Sequence, residues 1–271
     1  MVLSVTAVKT NETQHWIFLR GLARESGHWG DFLHRFERAM PGTTVEALDL
    51  PGTGERFAET SPLELSDYVE ALRAGRPRKK VNLFALSLGA MVGLEWMRLH
   101  PEEVDRAVLV NTSLKTINPV LRRLSPSAYA QVLGIFLDAN LRSREERILK
   151  LTSARTDWDA AEIDVRAQLQ ERHPVSRKNA LRQILSATRS SEIGVRPEQP
   201  VLLLNSLGDR LVHPDCSRLI SERWKAPLRR HAWAGHDLPL DDPDWTIRCV
   251  AEWLDRHPNE ILTKDPVDNR G

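Results

Sequence analysis

The sequence predicts an α/β protein: a mostly parallel central sheet, helices on both of its faces, and a helical cap inserted between two strands. Three observations predict it. Short apolar runs alternate with amphipathic stretches of helix length, the pattern of parallel strands joined by crossover helices. One joint, Leu86-Ser87-Leu88-Gly89, passes from strand to helix within a residue or two. The alternation then lapses from about Ser113 to Gln199, where helix-like pieces run on too long for a single crossover. The expected organisation is a core from residues 1–112 and 200–262, a cap over 113–199 and a disordered tail over 263–271.

Taken in order, His15 to Leu19 is the first clear strand, with a weaker candidate ahead of it near Leu3 to Val8. It ends in the turn Arg20-Gly21-Leu22. A helix is expected from Trp29 to Ala39, stopped by Pro41-Gly42. Thr44 to Leu50 is the next strand, broken by Pro51-Gly52-Thr53-Gly54. That stretch lacks both GxGxxG and the lysine of a P-loop, so it reads as a tight turn. Ser66 to Ala74 forms a helix with Ser66 as its cap. Val81 to Leu86 is a buried strand, and the residues after Ser87 are apolar nearly all round, as in a buried helix. Arg106 to Val110 is another strand. Cap helices are expected over Ser127–Leu137, Ser143–Leu151, Ala160–Arg172 and Ser176–Ser190. Val201 to Asn205 resumes the sheet, followed by a helix from Pro214 to Trp224 and a strand from Leu228 to His231. The last helix starts with Asp242 as cap and Pro243 in the first helical position, and runs to about His257.

Composition narrows the function classes. With 271 residues, 41% hydrophobic and 28% charged, the chain is ordinary for a soluble globular protein and long enough for one large α/β domain or for a core domain carrying an inserted smaller one. Its net charge of +1, with both signs well mixed, makes no electrostatic case for nucleic acid or an anionic membrane. Cys216 and Cys249 form neither a disulfide framework nor a zinc site and read as small buried hydrophobes. The first residues lack the basic start and apolar run of a signal peptide, and no apolar run approaches the ~20 residues of a membrane span. A cytoplasmic location follows as the expectation, and the sequons at Asn11 and Asn111 are then chance matches.

The chemistry centres on Ser87. A strand that turns at once into a helix holds its joint residue in a strained, left-handed conformation. The residues two before and two after must be small, and Ala85 and Gly89 are. A serine hydroxyl is a poor nucleophile at neutral pH, so a base must take its proton and a third group must orient that base. His236, after Gly235 on a loop just beyond the last strand, is placed to be the base. His231 lies inside that strand and reads as structural; His213 suits the pocket or the surface equally. The orienting carboxylate is Asp209, in Gly208-Asp209-Arg210 past the strand from Val201. The other place for an acid, after Val110, holds Asn111-Thr112-Ser113. Oxyanion donors are expected from the backbone N–H groups of Leu88 and Leu22, with Gly21 allowing close approach. No cofactor or metal is called for: no His, Cys, Asp or Glu spacing suggests a metal site. Trp29, Trp96, Trp245 and Trp253 fall in helix patterns and read as core.

With strand-Ser-helix, Asp and His in that order, the chain resembles α/β-hydrolase-fold enzymes from His15 to about Leu254. Four signatures carry the resemblance: Arg20-Gly21 with Trp29 downstream, Asp49-Leu50-Pro51-Gly52-Thr53-Gly54, the serine joint, and Gly235-His236-Asp237. The chain is similar to small bacterial carboxylesterases of the pimeloyl-carrier-protein methyl esterase type, whose four-helix cap sits between the same two strands. Two positions depart from that pattern, Arg20 where the family has histidine and Ala85 where it has glycine. The first places a charge near the pocket mouth. Serine at the joint argues against haloalkane dehalogenases and epoxide hydrolases, which use aspartate. Gly89-Ala90-Met91 lacks the arginine of the related synthase of menaquinone biosynthesis.

The resemblance implies a cofactor-free serine hydrolase acting on a small-molecule carboxylic ester or thioester. The alternatives are an acyltransferase or lyase on the same site, and a catalytically silent relative that binds a ligand. Leu133, Ile135, Phe136 and Leu137 of the cap would line an acyl pocket or pack on the core. Arg122, Arg123, Arg144 and Arg147 would receive an acyl-carrier protein or form a solvated helix face.

Overall fold

The computed structural model describes residues 13–77, 79–190 and 192–256. The strand expected near Leu3 to Val8, the end of the last helix at His257 and the tail over 263–271 lie outside the described residues. The described strands are β1 (Gln14–Leu19), β2 (Thr43–Leu48), β3 (Val81–Leu86), β4 (Val104–Val110), β5 (Val201–Ser206) and β6 (Leu228–His231). They form one sheet in the order β2-β1-β3-β4-β5-β6, with every pairing parallel.

Alternation along the strands sets the two layers. Trp16, Phe18, Phe84, Leu86, Val108, Val110, Leu202 and Leu204 face one side. There they meet α1 (Phe32–Ala39) and α11 (Pro243–Arg256). This layer is aromatic at its centre: Phe18 stacks on Phe84 at 4.8 Å, and Trp29 meets Phe18 edge-on at 5.3 Å. Ile17, Leu19, Leu83, Ala85, Leu109 and Leu203 face the other side. They pack against α2 (Leu65–Arg73), α3 (Leu88–Leu99) and α9 (Asp215–Trp224). Cys216 and Cys249 are buried, and burial pushes the Cys216 thiol up to about 12.

Between β4 and β5 the chain forms α4 (Val120–Arg123), α5 (Tyr129–Leu137), α6 (Leu141–Thr152), α7 (Ala160–Arg172) and α8 (Arg177–Arg189), without a strand among the described residues. No described helix is long and apolar enough to cross a membrane.

The differences from expectation are local. The first helix begins at Phe32 rather than Trp29, because Gly30 takes φ 53° after a 3-10 turn at Ser26–Trp29. β2 ends at Leu48: Asp49 leaves the sheet to accept hydrogen bonds from the amides of Ser26 and Glu55. Ser66 does not cap α2, which begins at Leu65 with extended Glu64 before it. A further short helix, α10 (Leu238–Asp241), follows the last strand. Asp242 does cap α11, accepting from the amide of Trp245 at 2.9 Å.

Candidate active site

The order of the sheet places the site. Chain order reverses between β1 and β3, so the connections from their paired carboxyl ends leave toward opposite sides of the sheet and open a crevice there. The loop Arg20-Gly21-Leu22 leaves β1 there, and Ser87 leaves β3 beside it, Leu19 and Ala85 being register partners.

Ser87 has φ 57° and ψ −116° and stands at the N-terminus of α3, the strained joint that the sequence predicts. The reason for small neighbours differs from expectation. A Cβ on Gly89 would lie 2.5 Å from the carbonyl oxygen of Leu19 and 2.6 Å from that of Arg20, so it is β1, not β3, that crosses close to α3. Ala85 is tolerated because it faces Gly93, where an added Cβ would still keep 3.6 Å from the Ala85 Cβ. Gly21 is as constrained as expected: its Cβ would sit 3.1 Å from that of Ser87.

His236 Nδ1 is 2.7 Å from Asp209 Oδ2, with both side chains buried. Asp209 Oδ1 accepts from the amides of Leu211 and Val212 at 2.8 and 2.9 Å. In the neutral form of the ring this bond assigns the proton to Nδ1 and leaves Nε2 as the acceptor. Ser87 and His236 line one cavity of about 130 Å³, together with Arg20, Gly21, Leu22, Arg24 and Asp237. Its apolar wall is Leu86, Val132, Ile135, Ile148, Leu151 and Leu211. Among the described residues Ser87 Oγ is not hydrogen-bonded to His236, and the amides of Leu22 and Leu88 donate to no protein group. Leu22 lines the cavity; Leu88 is buried as the first residue of α3.

Several expectations change here. Arg20 is not a free charge at the mouth: it is 3% exposed and forms two hydrogen bonds to Asp237, at 3.1 and 2.6 Å. Its guanidinium lies 4.5 Å over the Trp29 ring. Burial alone would raise the Asp237 carboxyl; Arg20, with Arg166 and Arg24 beyond it, holds it below the usual range. Leu133 and Leu137 neither line the cavity nor pack on the core but are 58% and 61% exposed, while their neighbours Val132 and Ile135 turn inward. Of the cap arginines, Arg122 and Arg147 pair with Asp215 and Asp138, and Arg123 donates to the carbonyl of Ala187. His213 lies outside the cavity, its Nδ1 accepting from the amide of Asp215, and His231 is held by Asp242. Trp29, Trp96 and Trp253 are core, as read; Trp245 is partly buried, edge-on to His231.

Sequence reasoning did not supply the contacts that hold these loops. Asn111, at φ 46° and 1% exposed, donates to the carbonyl of His236 at 2.8 Å and to Ser206 Oγ at 2.9 Å. It sits in the place considered for an acid, and a small polar residue that tolerates positive φ at a strand end was the available signal. Asp241 accepts from the amides of Gly235 and Ala154 and from Ser153 Oγ, tying the histidine loop to the end of α6. Gln183 of α8 accepts from the amide of Ala23 at 2.8 Å. Arg24 pairs at 2.8 Å with Glu145, a carboxylate with no exposed surface. Burial, reinforced by Arg24 and Arg20, keeps His28 well below its ordinary pKa and hence neutral. His28 carried no positional signal, since it falls in the irregular turn ahead of α1.

His100, Glu102 and Glu103 bring ligand atoms within 4.8 Å of one another, but Glu103 is already taken up by Arg73 and Trp96.

A model of the "Alpha/beta hydrolase family" matches residues 16–248. A protein named "Putative carbamate hydrolase RutD", from Serratia proteamaculans, is 29% identical over 189 residues, which cover 66% of this chain and 67% of that one. In structure the chain is similar to an esterase from Exiguobacterium antarcticum, with TM-score 0.73 at 13% identity over 90% and 92% of the two chains. It is also similar to the enol-lactonase from Burkholderia xenovorans, with TM-score 0.71 at 15% identity over 90% and 92%.

Proposed function

The chain belongs to the alpha/beta hydrolase family, and from that premise we propose that it is a serine hydrolase that cleaves a carboxylic ester through an acyl-enzyme on Ser87. The observation that carries this reading is the shared cavity: a strained serine at a helix N-terminus and a histidine already paired with a buried carboxylate line the same walls.

In the reaction so read, Ser87 Oγ attacks the ester carbonyl carbon while His236 Nε2 takes its proton. Asp209 keeps the ring in the tautomer that can accept and stabilises the imidazolium that forms. The carbonyl oxygen becomes an oxyanion facing the amides of Leu22 and Leu88. Collapse expels the alcohol, protonated by His236, and leaves the acyl group on Ser87. Water, deprotonated by the same Nε2, then releases the carboxylic acid and regenerates the serine. Residues 113–199 are the cap of this reading, because Val132, Ile135, Ile148 and Leu151 wall the cavity from the insertion. Thioesters and carbamate esters enter the same scheme with a different leaving group or acyl partner. The name of the Serratia relative gives the carbamate a place in the substrate panel.

The test is covalent labelling with a fluorophosphonate probe, followed by hydrolysis of an ester panel varied in acyl length and leaving group, wild type beside Ser87→Ala. Labelling at Ser87 and activity abolished in the variant are expected. Activity or labelling that survives without Ser87 would sink the proposal.

A further inference from the structure

Leu22 and His236 come from opposite ends of the chain, yet they must face the same serine hydroxyl. Arg20 and Asp237, 217 residues apart, each lie within two residues of one of them. Their side chains are bound to each other by two N–H···O bonds, with only 3% and 7% of their side-chain surfaces exposed. Trp29 covers the guanidinium from one side. Among the described residues, no other hydrogen bond joins the loop at 20–24 to the loop at 235–237. Asn111 and Asp241 tie the histidine loop to the sheet and to the end of α6 instead, and Gln183 ties the other loop to α8.

Stability is a poor explanation for such a pair. Two charges withdrawn from water gain little over well-packed apolar groups of the same size. What the pair supplies is direction: a planar fork meeting a carboxylate fixes both distance and orientation. We propose that Arg20 and Asp237 are positioning residues whose ion pair sets the distance between the oxyanion donor at Leu22 and the base His236. The inference rests on the serine-hydrolase reading above. Gly21 links the two, because it lies beside Ser87, where an added Cβ would come within 3.1 Å of the serine Cβ.

The test compares wild type with Arg20→Lys, the double variant Arg20→Met/Asp237→Asn, and Ser87→Ala. A short-chain p-nitrophenyl ester is the substrate, and a trifluoromethyl ketone, which needs both the serine and the oxyanion donors, is the inhibitor. The double variant removes both charges of the pair together and leaves neither partner as a lone buried ion, so its thermal midpoint should stay within a few degrees of wild type. Its kcat should fall about 10- to 100-fold with KM within about threefold, and the ketone should weaken by a similar factor, the signature of lost alignment. Arg20→Lys keeps the charge without the fork and should fall between the two; it carries the test should the double variant not fold. Wild-type kcat and ketone affinity in a folded variant would overturn the proposal. Wild-type activity in Ser87→Ala would instead overturn the reading of the site on which it rests.

Discussion

Asp209 is committed at both of its oxygens: one meets His236 Nδ1 at 2.7 Å, and the other takes the amides of Leu211 and Val212. The side chain therefore cannot rotate without breaking three bonds, and the ring it holds cannot change tautomer at low cost. A buried carboxylate so anchored suits an orienting role better than a role in proton transfer.

Asp209→Asn follows from this geometry. The amide oxygen would stay with the two backbone N–H groups, so the NH2 would face the ring and force its proton onto Nε2. The base would then have nothing to accept with. A loss of kcat on the order of 10⁴-fold is expected, with the circular-dichroism melt unchanged within a few degrees. Ester hydrolysis within tenfold of wild type would refute the assignment.

Gly89→Ala and Gly93→Ala make a matched pair on α3. The first drives a Cβ into two backbone oxygens at the end of β1, atoms that no rotamer change can move. It should cost about 1–3 kcal/mol in urea denaturation and displace the Leu22 loop, lowering kcat at least tenfold. The second meets side chains alone, those of Leu83, Ala85 and Leu19, at ordinary distances of 3.4, 3.6 and 4.0 Å. Its activity should stay within about twofold, since helix propensity favours alanine. Equal effects from the two substitutions would show that the crossing with β1 is not the constraint.

Far from the cavity, Glu103 accepts from Arg73 twice and from the Trp96 indole, and Arg73 holds its pKa down to about 2. The unfolded chain, with this carboxyl near its ordinary 4.5, takes up the proton first as pH falls. The contribution to stability is therefore complete above about pH 4.5 and is lost progressively toward pH 2. Urea midpoints measured across that window should fall more steeply for wild type than for Glu103→Gln. Parallel curves would mean that the pair is not formed in solution.

Much of this was legible because the signals are local. Buried parallel strands read as apolar runs, and Val81 to Leu86 or Val201 to Leu204 admit little else. Ser87, Asp209 and His236 each stand at a strand end, where a period-2 pattern stops and a turn begins. What escaped was held by long-range contact. Nothing near Arg20 in sequence announces Asp237, and Asn111 looks like a sequon until its amide is seen donating to the histidine loop. Leu133 and Leu137 escaped for another reason: α5 is apolar on every side, so periodicity cannot say which side faces in.

The helical insertion is fastened by polar groups and walls the cavity with apolar ones. Glu145, Ser153, Asn179 and Gln183 bind Arg24, Asp241, Ser61 and the Ala23 amide. Val132, Ile135, Ile148 and Leu151 touch the cavity and take part in none of those bonds. These polar fastenings and the apolar lining fall on different residues, so the lining can be respelled one methyl group at a time while every one of those bonds is left as it stands.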